Sequence, residues 1–299
     1  MANGSLLRSI GSALSRLPLP APADLVNACT SLRGLQVARG LAYGAHPRQK
    51  LDVYRLAVAR PGQPLVIFFY GGSWSFGRRQ DYRFLAARLA RGGAVVAVPD
   101  YRLFPEVRFP GFIADAAAAT AWLMARTAAL GAAPQPILAG HSAGAYLVAM
   151  LALDPRWLAE TGVDRTQLAG VIGLAGPYDF LPIRDPDIQP IFASAADLAE
   201  TQPINHVDGE NPPMLLAAGV RDRVVAPRNT AALATRIRAM GGMVETRVYP
   251  GMGHLGIIGA FAPVLHRRRR VVADVTAFIT ACAGAETPAD ETSPAGAAG

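Results

Sequence analysis

The sequence predicts an α/β fold in which a mostly parallel, eight-stranded sheet carries helices on both faces. Stretches rich in β-branched and aromatic residues recur along the 299-residue chain, and helical stretches alternate with them. Two of the apolar stretches, 65–70 and 94–99, are continuous, as expected of central strands that are buried on both faces. This alternation of strands and helices is typical of a parallel sheet covered by helices.

Each element follows from a local pattern. Residues 50–58, KLDVYRLAV, alternate polar and apolar types like a half-exposed strand, and residues 112–129 form a long alanine-rich helical stretch. The predicted strands, of which the first is the weakest, are 34–38, 50–58, 65–70, 94–99, 136–140, 168–176, 214–219 and 243–249. The predicted helices are 80–91, 112–129, 143–152, 227–240 and 271–282. Helical crossovers of this length exclude a β-sandwich and a helix bundle.

One domain, residues 34–283, is predicted to contain all of these strands. Residues 1–33 are interpreted as an N-terminal helical and linker segment. Residues 284–299 are rich in Ala, Pro, Thr and acidic residues and are predicted to be a disordered tail, because they cannot bury a core. The proline-rich segment 178–212 breaks the alternation and is predicted to be a lid-like insertion, since long insertions at strand ends commonly cover or line a site.

The sequence argues against a nucleic-acid partner and against a membrane span. The chain is 51% hydrophobic and 17% charged, and its net charge of +7 comes from 29 basic and 22 acidic residues. Its one dense basic cluster, HRRRR at 266–270, lacks interleaved aromatic residues and a recognised module, so we expect no nucleic-acid partner. No apolar run reaches the roughly 18 residues that a membrane span needs.

The N-terminal stretch and the cysteines bear on location and on metals. Pro18, Pro20 and Pro22 interrupt a faintly signal-like start, so there is no convincing signal peptide and we expect a cytoplasmic protein. Cys29 and Cys282 form no disulfide framework, and no C-x-x-C or His/Cys cluster suggests a metal site. A reduced compartment fits this usage, and a single bridge between the two cysteines is the alternative.

The stretch ILAGHSAGAYLVAML, residues 137–151, contains a candidate nucleophile, Ser142. Gly140-x-Ser142-x-Gly144 follows a predicted strand and precedes a predicted helix. This is the setting of a G-x-S-x-G elbow, where a strained turn exposes the serine hydroxyl at the top of a sheet. By itself the pattern is common by chance, and a plain strand–helix junction is the alternative. The role of Ser142 therefore depends on partners elsewhere in the chain.

A reactive serine needs a histidine base, which follows the nucleophile and the acid along the chain in this architecture. His254 lies in YPGMGHLG, directly after the last predicted strand, in a loop that glycines allow to bend tightly. His266 lies against four arginines, where an imidazolium is disfavoured. His141 adjoins Ser142, but adjacent side chains on such a turn point apart. We therefore predict His254 as the base and give His141 a supporting role.

Asp222, in MLLAAGVRDRVV, is the carboxylate expected to orient His254. It falls in the first turn after a core strand, and one helix and one strand separate it from the histidine. An acid in this position fixes the tautomer of the base. The alternative interpretation is a surface pair with Arg221 or Arg223. The reserve candidates for the acid are Asp179 and Asp208.

Residues 68–77, FFYGGSWSFG, predict an oxyanion hole opposite the elbow. Consecutive glycines let backbone N–H groups approach a substrate carbonyl without obstruction by Cβ. The predicted N–H donors are Gly72, Ser73 and Ala143, the last at the positive end of a helix. Trp74 either packs under this loop or lines the pocket. The residues predicted to contact substrate are Tyr70, Gly71, Trp74 and His141.

With these motifs the chain resembles the α/β-hydrolase superfamily, and within it the hormone-sensitive-lipase-like and feruloyl-esterase-like bacterial carboxylesterases, from about residue 48 to 282. YGGSW at 70–74 is similar to their HGGG or HGGxW oxyanion motif, and PDYRLFPEVRFP at 99–110 to their YRLAPE-type segment. GHSAG, GVRDRVV and GMGH occupy the nucleophile, acid and base positions. Tyr70 stands where the family usually has a histidine that helps hold the oxyanion loop, so we expect this loop to be braced differently.

The resemblance implies a bacterial serine carboxylesterase that hydrolyses small-molecule carboxylic esters through an acyl-enzyme, with Ser142, Asp222 and His254 as the triad and without a metal or organic cofactor. Related formamidases share the HGGxW pattern, which leaves an amidase or formamidase as the alternative. A non-catalytic hydrolase-fold binding protein is disfavoured, because all three triad members are present. Nothing in the sequence defines the oligomeric state.

Overall fold

A computed structural model describes residues 22–58, 61–263 and 269–284 of the chain. The strands in these ranges are β1 (Leu35–Ala42), β2 (Lys50–Leu56), β3 (Leu65–Phe69), β4 (Val95–Pro99), β5 (Ile137–His141), β6 (Gly170–Leu174), β7 (Met214–Gly219) and β8 (Val244–Tyr249). The α-helices are α1 (Pro22–Ala28), α2 (Arg83–Arg91), α3 (Gly111–Met124), α4 (Thr127–Leu130), α5 (Ala143–Leu153), α6 (Arg156–Ala159), α7 (Gln189–Phe192), α8 (Arg228–Ala239), α9 (His254–Gly259) and α10 (Arg269–Gly284). Short 3-10 helices lie at Arg79–Tyr82, Arg165–Gln167, Leu198–Thr201 and Pro203–His206.

The strands form one sheet in the order β1-β2-β4-β3-β5-β6-β7-β8. β2 pairs antiparallel with both β1 and β4, and all the remaining neighbours pair parallel. Helices connect the parallel strands, as the alternating sequence pattern requires. The fold class predicted from the sequence, a mostly parallel eight-stranded sheet with helices, is confirmed.

The strand order reverses around β3, which lies between β4 and β5. The chain passes from β3 to one side of the sheet and later returns on the other, which leaves a crevice at the carboxyl ends of β3 and β5. Open α/β sheets bind their ligands in such a crevice. Phe69 at the end of β3 is in register with Gly140 of β5. The loop that follows β3 and the turn that follows β5 therefore begin side by side.

The middle of the sheet is buried on both faces. Every residue of β3, β4, β5, β6 and β7 is buried, which explains why their sequences are continuously apolar rather than alternating. Helix α5 is buried along its whole length and packs against β5 and β6, because it is apolar on every side. The first turn of this helix is therefore held firmly at the crevice.

Two predicted elements differ in detail from the structure. The helix predicted at 112–129 is two helices, α3 and α4, because the backbone leaves helical geometry at Arg126, with φ −125° and ψ 9°. The strand predicted at 34–38 is longer, and its pairing with β2 shifts register around Gly40, which has φ 67°. Gly40 interrupts the apolar pattern, so the second half of the strand was not predicted.

The segment 178–212, predicted to be a lid-like insertion, contains only α7 and two of the 3-10 helices. Its beginning is held by two buried amide side chains, one from α8 and one from a later part of the segment itself. Oδ1 of Asn229, in α8, accepts the N–H groups of Tyr178 and Asp179, both at 2.9 Å. Oε1 of Gln202 accepts the N–H of Phe180 at 2.8 Å. The segment therefore starts at a fixed point on the rim of the crevice.

Several sequence-based expectations fall outside the described residues, namely the structure of residues 1–21, the predicted tail beyond Gly284, and His266 with most of its basic cluster. Cys29 and Cys282 are both free thiols, so the bridge between them is not formed. No helix within the described ranges is long and apolar enough to cross a membrane. In the same part of the chain, no group of three or more His, Cys, Asp or Glu side chains could hold a metal ion.

Candidate active site

Ser142 occupies the sharp turn between β5 and α5. Its backbone has φ 54° and ψ −121°, a conformation that costs a residue with a side chain about 1–3 kcal/mol and persists only where the surroundings impose it. A Cβ at Gly140 would meet the carbonyl group of Gly144, and a Cβ at Gly144 would meet the carbonyl group of Phe69. The two glycines are therefore required for this turn to pack closely against β3.

Asp222 and His254 form a buried pair at the ends of β7 and β8. Nδ1 of His254 lies 2.8 Å from Oδ2 of Asp222, and the carboxylate side chain is 0% exposed. Its other oxygen, Oδ1, accepts the N–H groups of Val224 and Val225, both at 2.9 Å. Because Oδ2 accepts the Nδ1 proton, the second nitrogen of His254, Nε2, keeps a free lone pair. A histidine in this tautomer can accept a proton from a hydroxyl group.

Neither reserve carboxylate lies beside this histidine. Asp208 binds the guanidinium of Arg165, and Asp179 is exposed on the wall of a cavity. The arginines that flank Asp222 are exposed, and within the described part of the chain neither forms an ion pair with it. Asp222 is therefore buried at the end of β7, apart from the charged side chains that flank it in sequence, and pairs with His254.

His141 links this pair to the turn that holds Ser142. Its ring centroid lies 4.7 Å from that of His254, and its Nε2 lies 3.2 Å from the backbone oxygen of His254. Burial is the largest cause that lowers the pKa of His141 to about 3, so the ring is neutral and its Nε2–H donates to that oxygen. Since His141 directly precedes Ser142, this contact brings His254 next to the turn.

The loop after β3 contains three consecutive residues with positive φ, namely Gly72 at 138°, Ser73 at 47° and Trp74 at 55°. The carbonyl of Gly72 accepts the N–H of Phe76 at 3.0 Å, which closes the loop. Among the described residues, the N–H groups of Gly72 and Ser73 meet no acceptor. The N–H of Ala143 is also unused, because it is the first residue of α5. All three predicted donors therefore have free hydrogen-bonding capacity at the crevice.

Three of the four residues predicted to contact substrate lie behind the site, and the structure corrects that prediction for them. Tyr70 is 0% exposed, and its hydroxyl donates to Oδ1 of Asp100 at 2.8 Å. A Cβ on Gly71 would lie 2.8 Å from that of Ser142, so this glycine is packed under the turn. His141 is 2% exposed. Because each of them is buried, they support the crevice instead of lining it.

Trp74, the fourth predicted contact, has both of the roles that its sequence position suggested. Its side chain is 3% exposed and packs edge-on against Tyr146 and Phe192, with ring centroids 5.2 and 5.0 Å apart. It also forms part of a cavity wall next to Ser142. The aromatic packing holds the Cα of Trp74, and with it the strained loop, against the core.

The cavity beside Ser142 has a volume of about 600 Å³. One wall comes from residues 177–188, the beginning of the insertion, and another from residues 224–229 before and within the first turn of α8. Ser73, Ser142 and Ala143 line the cavity as well. The serine and two of the three residues with unused N–H groups therefore border the same space.

The sequence reasoning missed the wall at 224–229. Val224 and Val225 line the cavity, and their N–H groups hold the carboxylate of Asp222. Asn229 also lines it and fixes the start of the insertion. The available signal was the apolar pair that follows Arg223 in this turn, since exposed apolar residues grouped together commonly mark a binding site.

Comparison with known proteins places this geometry in a family context. A family model described as BD-FAE matches residues 51–237. The chain is 33% identical to Esterase LipC of Mycobacterium tuberculosis over 260 residues, which cover 79% of this chain and 64% of that protein. It is 27% identical over 269 residues to the probable isoprenylcysteine alpha-carbonyl methylesterase ICME of Oryza sativa subsp. japonica, with 82% of this chain and 64% of that protein covered. The chain thus spans less than two thirds of the length of each relative.

Solved structures show the same fold. A crystal structure of esterase B from Lactobacillus rhamnosis, with a tributyrin phosphonate, superposes with a TM-score of 0.76 over 93% of this chain and 94% of that chain. The sequence identity is 21%, so the likeness concerns the fold alone. The fold is the α/β-hydrolase fold that the motifs led us to expect.

Proposed function

The chain belongs to the BD-FAE family, and from this premise we propose that it is a serine carboxylesterase, which hydrolyses carboxylic esters of small molecules through an acyl-enzyme. The observation that carries the proposal is the buried contact of 2.8 Å between Asp222 and His254. The histidine of this pair adjoins the Ser142 turn through His141. A buried acid, a base that it orients and a strained serine on the adjoining turn are the parts that acyl transfer requires.

In the proposed reaction, Oγ of Ser142 attacks the ester carbonyl while Nε2 of His254 takes the hydroxyl proton. Asp222 keeps Nδ1 protonated and stabilises the imidazolium that forms. His254 then gives its proton to the departing alcohol, which leaves an acyl group on Ser142. Water, activated by the same histidine, attacks this ester and releases the acid.

The negative charge of the tetrahedral intermediates is proposed to bind to the N–H groups of Gly72, Ser73 and Ala143. These donors have no other acceptor within the described residues, and the loop already holds its strained conformation in the free protein. Donors arranged in advance stabilise developing charge without reorganisation during the reaction.

The cavity supports a small-molecule ester with at least one apolar group. Its volume of about 600 Å³ lies within the range that is usual for small ligands. Phe180, Ile188 and Val224 offer apolar surface beside the serine. We propose that the acyl or the alcohol part of the ester occupies this space.

Labelling with a fluorophosphonate and hydrolysis of p-nitrophenyl butyrate test the proposal together. The wild type is expected to label and to hydrolyse the ester, and Ser142→Ala to do neither above a residual level. Ser194→Ala is the matched control, because Ser194 is an exposed serine whose hydroxyl donates to the backbone oxygen of Phe109. Equal labelling of the wild type and Ser142→Ala, or labelling of neither, would reject the proposal.

The same machinery can cleave amides, so the bond preference needs its own measurement. We expect kcat/KM for p-nitrophenyl butyrate to exceed that for the p-nitroanilide of butyric acid. An equal or larger value for the anilide would make the protein an amidase instead.

A further inference from the structure

The oxyanion loop needs a brace, because Ser73 and Trp74 are side-chain-bearing residues in the left-handed region, with φ 47° and 55°. Such residues keep this conformation only where the surrounding structure imposes it. The loop runs from Tyr70 to Gly77, and its two ends approach each other closely. A Cβ at Gly77 would lie 2.9 Å from two ring carbons of Tyr70. Whatever joins these two ends therefore controls the shape of the loop between them.

The guanidinium of Arg48 makes this connection. Its Nη2 donates to the hydroxyl oxygen of Tyr70 and to the carbonyl of Gly77, both at 2.9 Å. Its Nε donates to the carbonyl of Tyr101 at 2.9 Å. Arg48 comes from the connection between β1 and β2, so one side chain from a distant part of the chain binds both ends of the loop.

The tyrosine at the centre of this connection is fixed from several sides. Its ring stacks between Tyr82 and Tyr101, with centroid distances of 5.5 and 4.9 Å. Its backbone oxygen accepts the hydroxyl of Tyr101 at 2.9 Å. Burial is the largest cause that holds the pKa of Tyr70 well above its ordinary value, so the hydroxyl stays protonated. It donates to Asp100, which also accepts the N–H of Arg79 at 2.7 Å.

We propose that Arg48, acting through Tyr70 and Gly77, is a positioning residue that sets the N–H groups of Gly72 and Ser73 for the oxyanion. The inference rests on the proposed function, since it concerns the geometry of the same site. Arg48 contacts none of the reacting atoms. Arg48 acts on the reaction by holding the N–H donors in place. Without its side chain, the loop relaxes toward unstrained backbone angles.

The chemistry of the side chain explains why an arginine stands here. One guanidinium donates to three acceptors here, and that group presents five donors in fixed directions. A lysine ammonium is a point charge and cannot reach all three acceptors with the same geometry. We therefore expect Arg48→Lys to retain part of the function and Arg48→Met to lose it.

The main experiment compares kcat and KM for p-nitrophenyl butyrate. Arg48→Met is expected to lower kcat by about 10- to 100-fold, somewhat less than the loss of a whole oxyanion donor, with KM within about threefold of wild type. The kcat of Arg48→Lys should lie between that of wild type and that of Arg48→Met. The fluorophosphonate should still label Arg48→Met completely but more slowly, because Ser142 and His254 are intact. Unchanged kcat and labelling rate in Arg48→Met would overturn the inference.

A double-mutant cycle tests the path through the tyrosine. Tyr70→Phe removes the hydroxyl that links Arg48 to Asp100 and keeps the stacked ring. If both residues act on the loop through one contact, the kcat of the double variant should lie no more than about twofold below that of Arg48→Met alone. Fully multiplicative losses in kcat would show two independent effects and overturn the shared path.

Arg165→Met is the control for loss of a buried arginine. Arg165 binds the carbonyl of Leu153, at the opposite end of α5 from Ser142, and the carboxylates of Asp208 and Glu210. The Arg165→Met variant should have a lower thermal stability, and its kcat per labelled active site should equal that of wild type. If Arg165→Met lowers that kcat as much as Arg48→Met does, the effect is one of general stability and the inference fails. An inactive wild type rejects the proposed function itself, whereas an active wild type with an equally active Arg48→Met rejects the positioning role alone.

Discussion

Two regions meet at the cavity and differ in how they are held. The catalytic floor, defined as the proposed catalytic residues Ser142, Asp222 and His254, lies at the ends of β5, β7 and β8. Its groups are directed by backbone amides and by His141. The insertion wall, defined as residues 177–188, is tied to the domain at its beginning by Asn229 and is held to a later part of the insertion by Gln202. Most of its further residues, Leu181 and Asp185 among them, are exposed.

Because the two regions are held differently, we assign the chemical step to the catalytic floor and contact with the substrate to the insertion wall. The sheet sets the positions of the reacting groups, so substitutions in the floor or beneath it should affect the reaction or the fold. Most of the wall is an exposed loop, and segments of this kind tolerate change while they shape the site. We therefore expect the wall to alter substrate preference without altering the chemical step.

The strongest test of the floor is Asp222→Asn. An amide in this position no longer holds the Nδ1 proton of His254, so kcat should fall by about 10⁴-fold with little change in KM. Steady-state hydrolysis of p-nitrophenyl butyrate measures the change. Asp208→Asn, at the ion pair with Arg165, is the control and should leave kcat unchanged. A loss below tenfold in Asp222→Asn would remove Asp222 from the catalytic floor.

A second test concerns the packing beneath the floor. A Cβ added at Gly144 meets the carbonyl of Phe69, and neither backbone can move without disturbing the sheet, so Gly144→Ala should cost about 3 kcal/mol of unfolding free energy. Urea denaturation measures it. Gly284→Ala, where nothing lies within 4 Å of an added Cβ, should be neutral. Equal stability of the two variants would show that the turn is not tightly packed.

A third test uses the buried imidazole of His141. Its pKa of about 3 in the folded chain lies below the value of about 6.5 for an unfolded histidine. The unfolded state therefore binds one more proton as the pH falls below about 6.5, and stability is lost in that direction, by about 2 kcal/mol at pH 5. His141→Phe should lack this component in unfolding curves at pH 7.5, 6 and 5, whereas His254 and Asp222 remain in both proteins. Parallel pH dependences of the two proteins would contradict the prediction.

The smallest effect is expected on the wall. Ile188→Ala removes apolar surface from the cavity and should lower kcat/KM for p-nitrophenyl octanoate by up to about tenfold, with the acetate within twofold. Leu198→Ala, an exposed insertion residue outside the cavity wall, should change neither value. A proportional loss on both esters in Ile188→Ala would mean that the wall also supports the chemical step.

The sequence could predict the residues that are fixed by local packing, but not those that are fixed by contacts distant in sequence. Gly140 and Gly144 are required by close packing within one turn. Asp222 follows an apolar strand and His254 follows an alternating one, so local patterns were sufficient to bring this pair together. Tyr70 was misassigned as a substrate contact because its environment is made by Arg48 and Asp100, which lie 22 residues before and 30 residues after it. No local pattern contains such a contact.

The cavity walls were predictable only in part. The proline-rich composition of 178–212 indicated a segment near the site, and its beginning does line the cavity. Residues 224–229 were not predicted, because the direction in which the chain leaves Asp222 is set by the amides that bind its carboxylate. The break at Arg126 was missed for a similar reason, since alanine-rich sequence is equally compatible with one helix or two.

The pairing of β3 with β5 has a consequence for how activity arises during folding. Phe69 is aligned with Gly140, and the two halves of the proposed oxyanion hole extend from these neighbouring positions. If β3 paired with β5 one residue out of register, Gly72 and Ser73 would move by about 3.3 Å relative to Ala143, and buried side chains would turn to the wrong face. Under the proposed mechanism, alignment of the two strands is therefore itself a requirement for activity. A chain that pairs them incorrectly would retain Ser142 and His254 but lose the site proposed to receive the oxyanion.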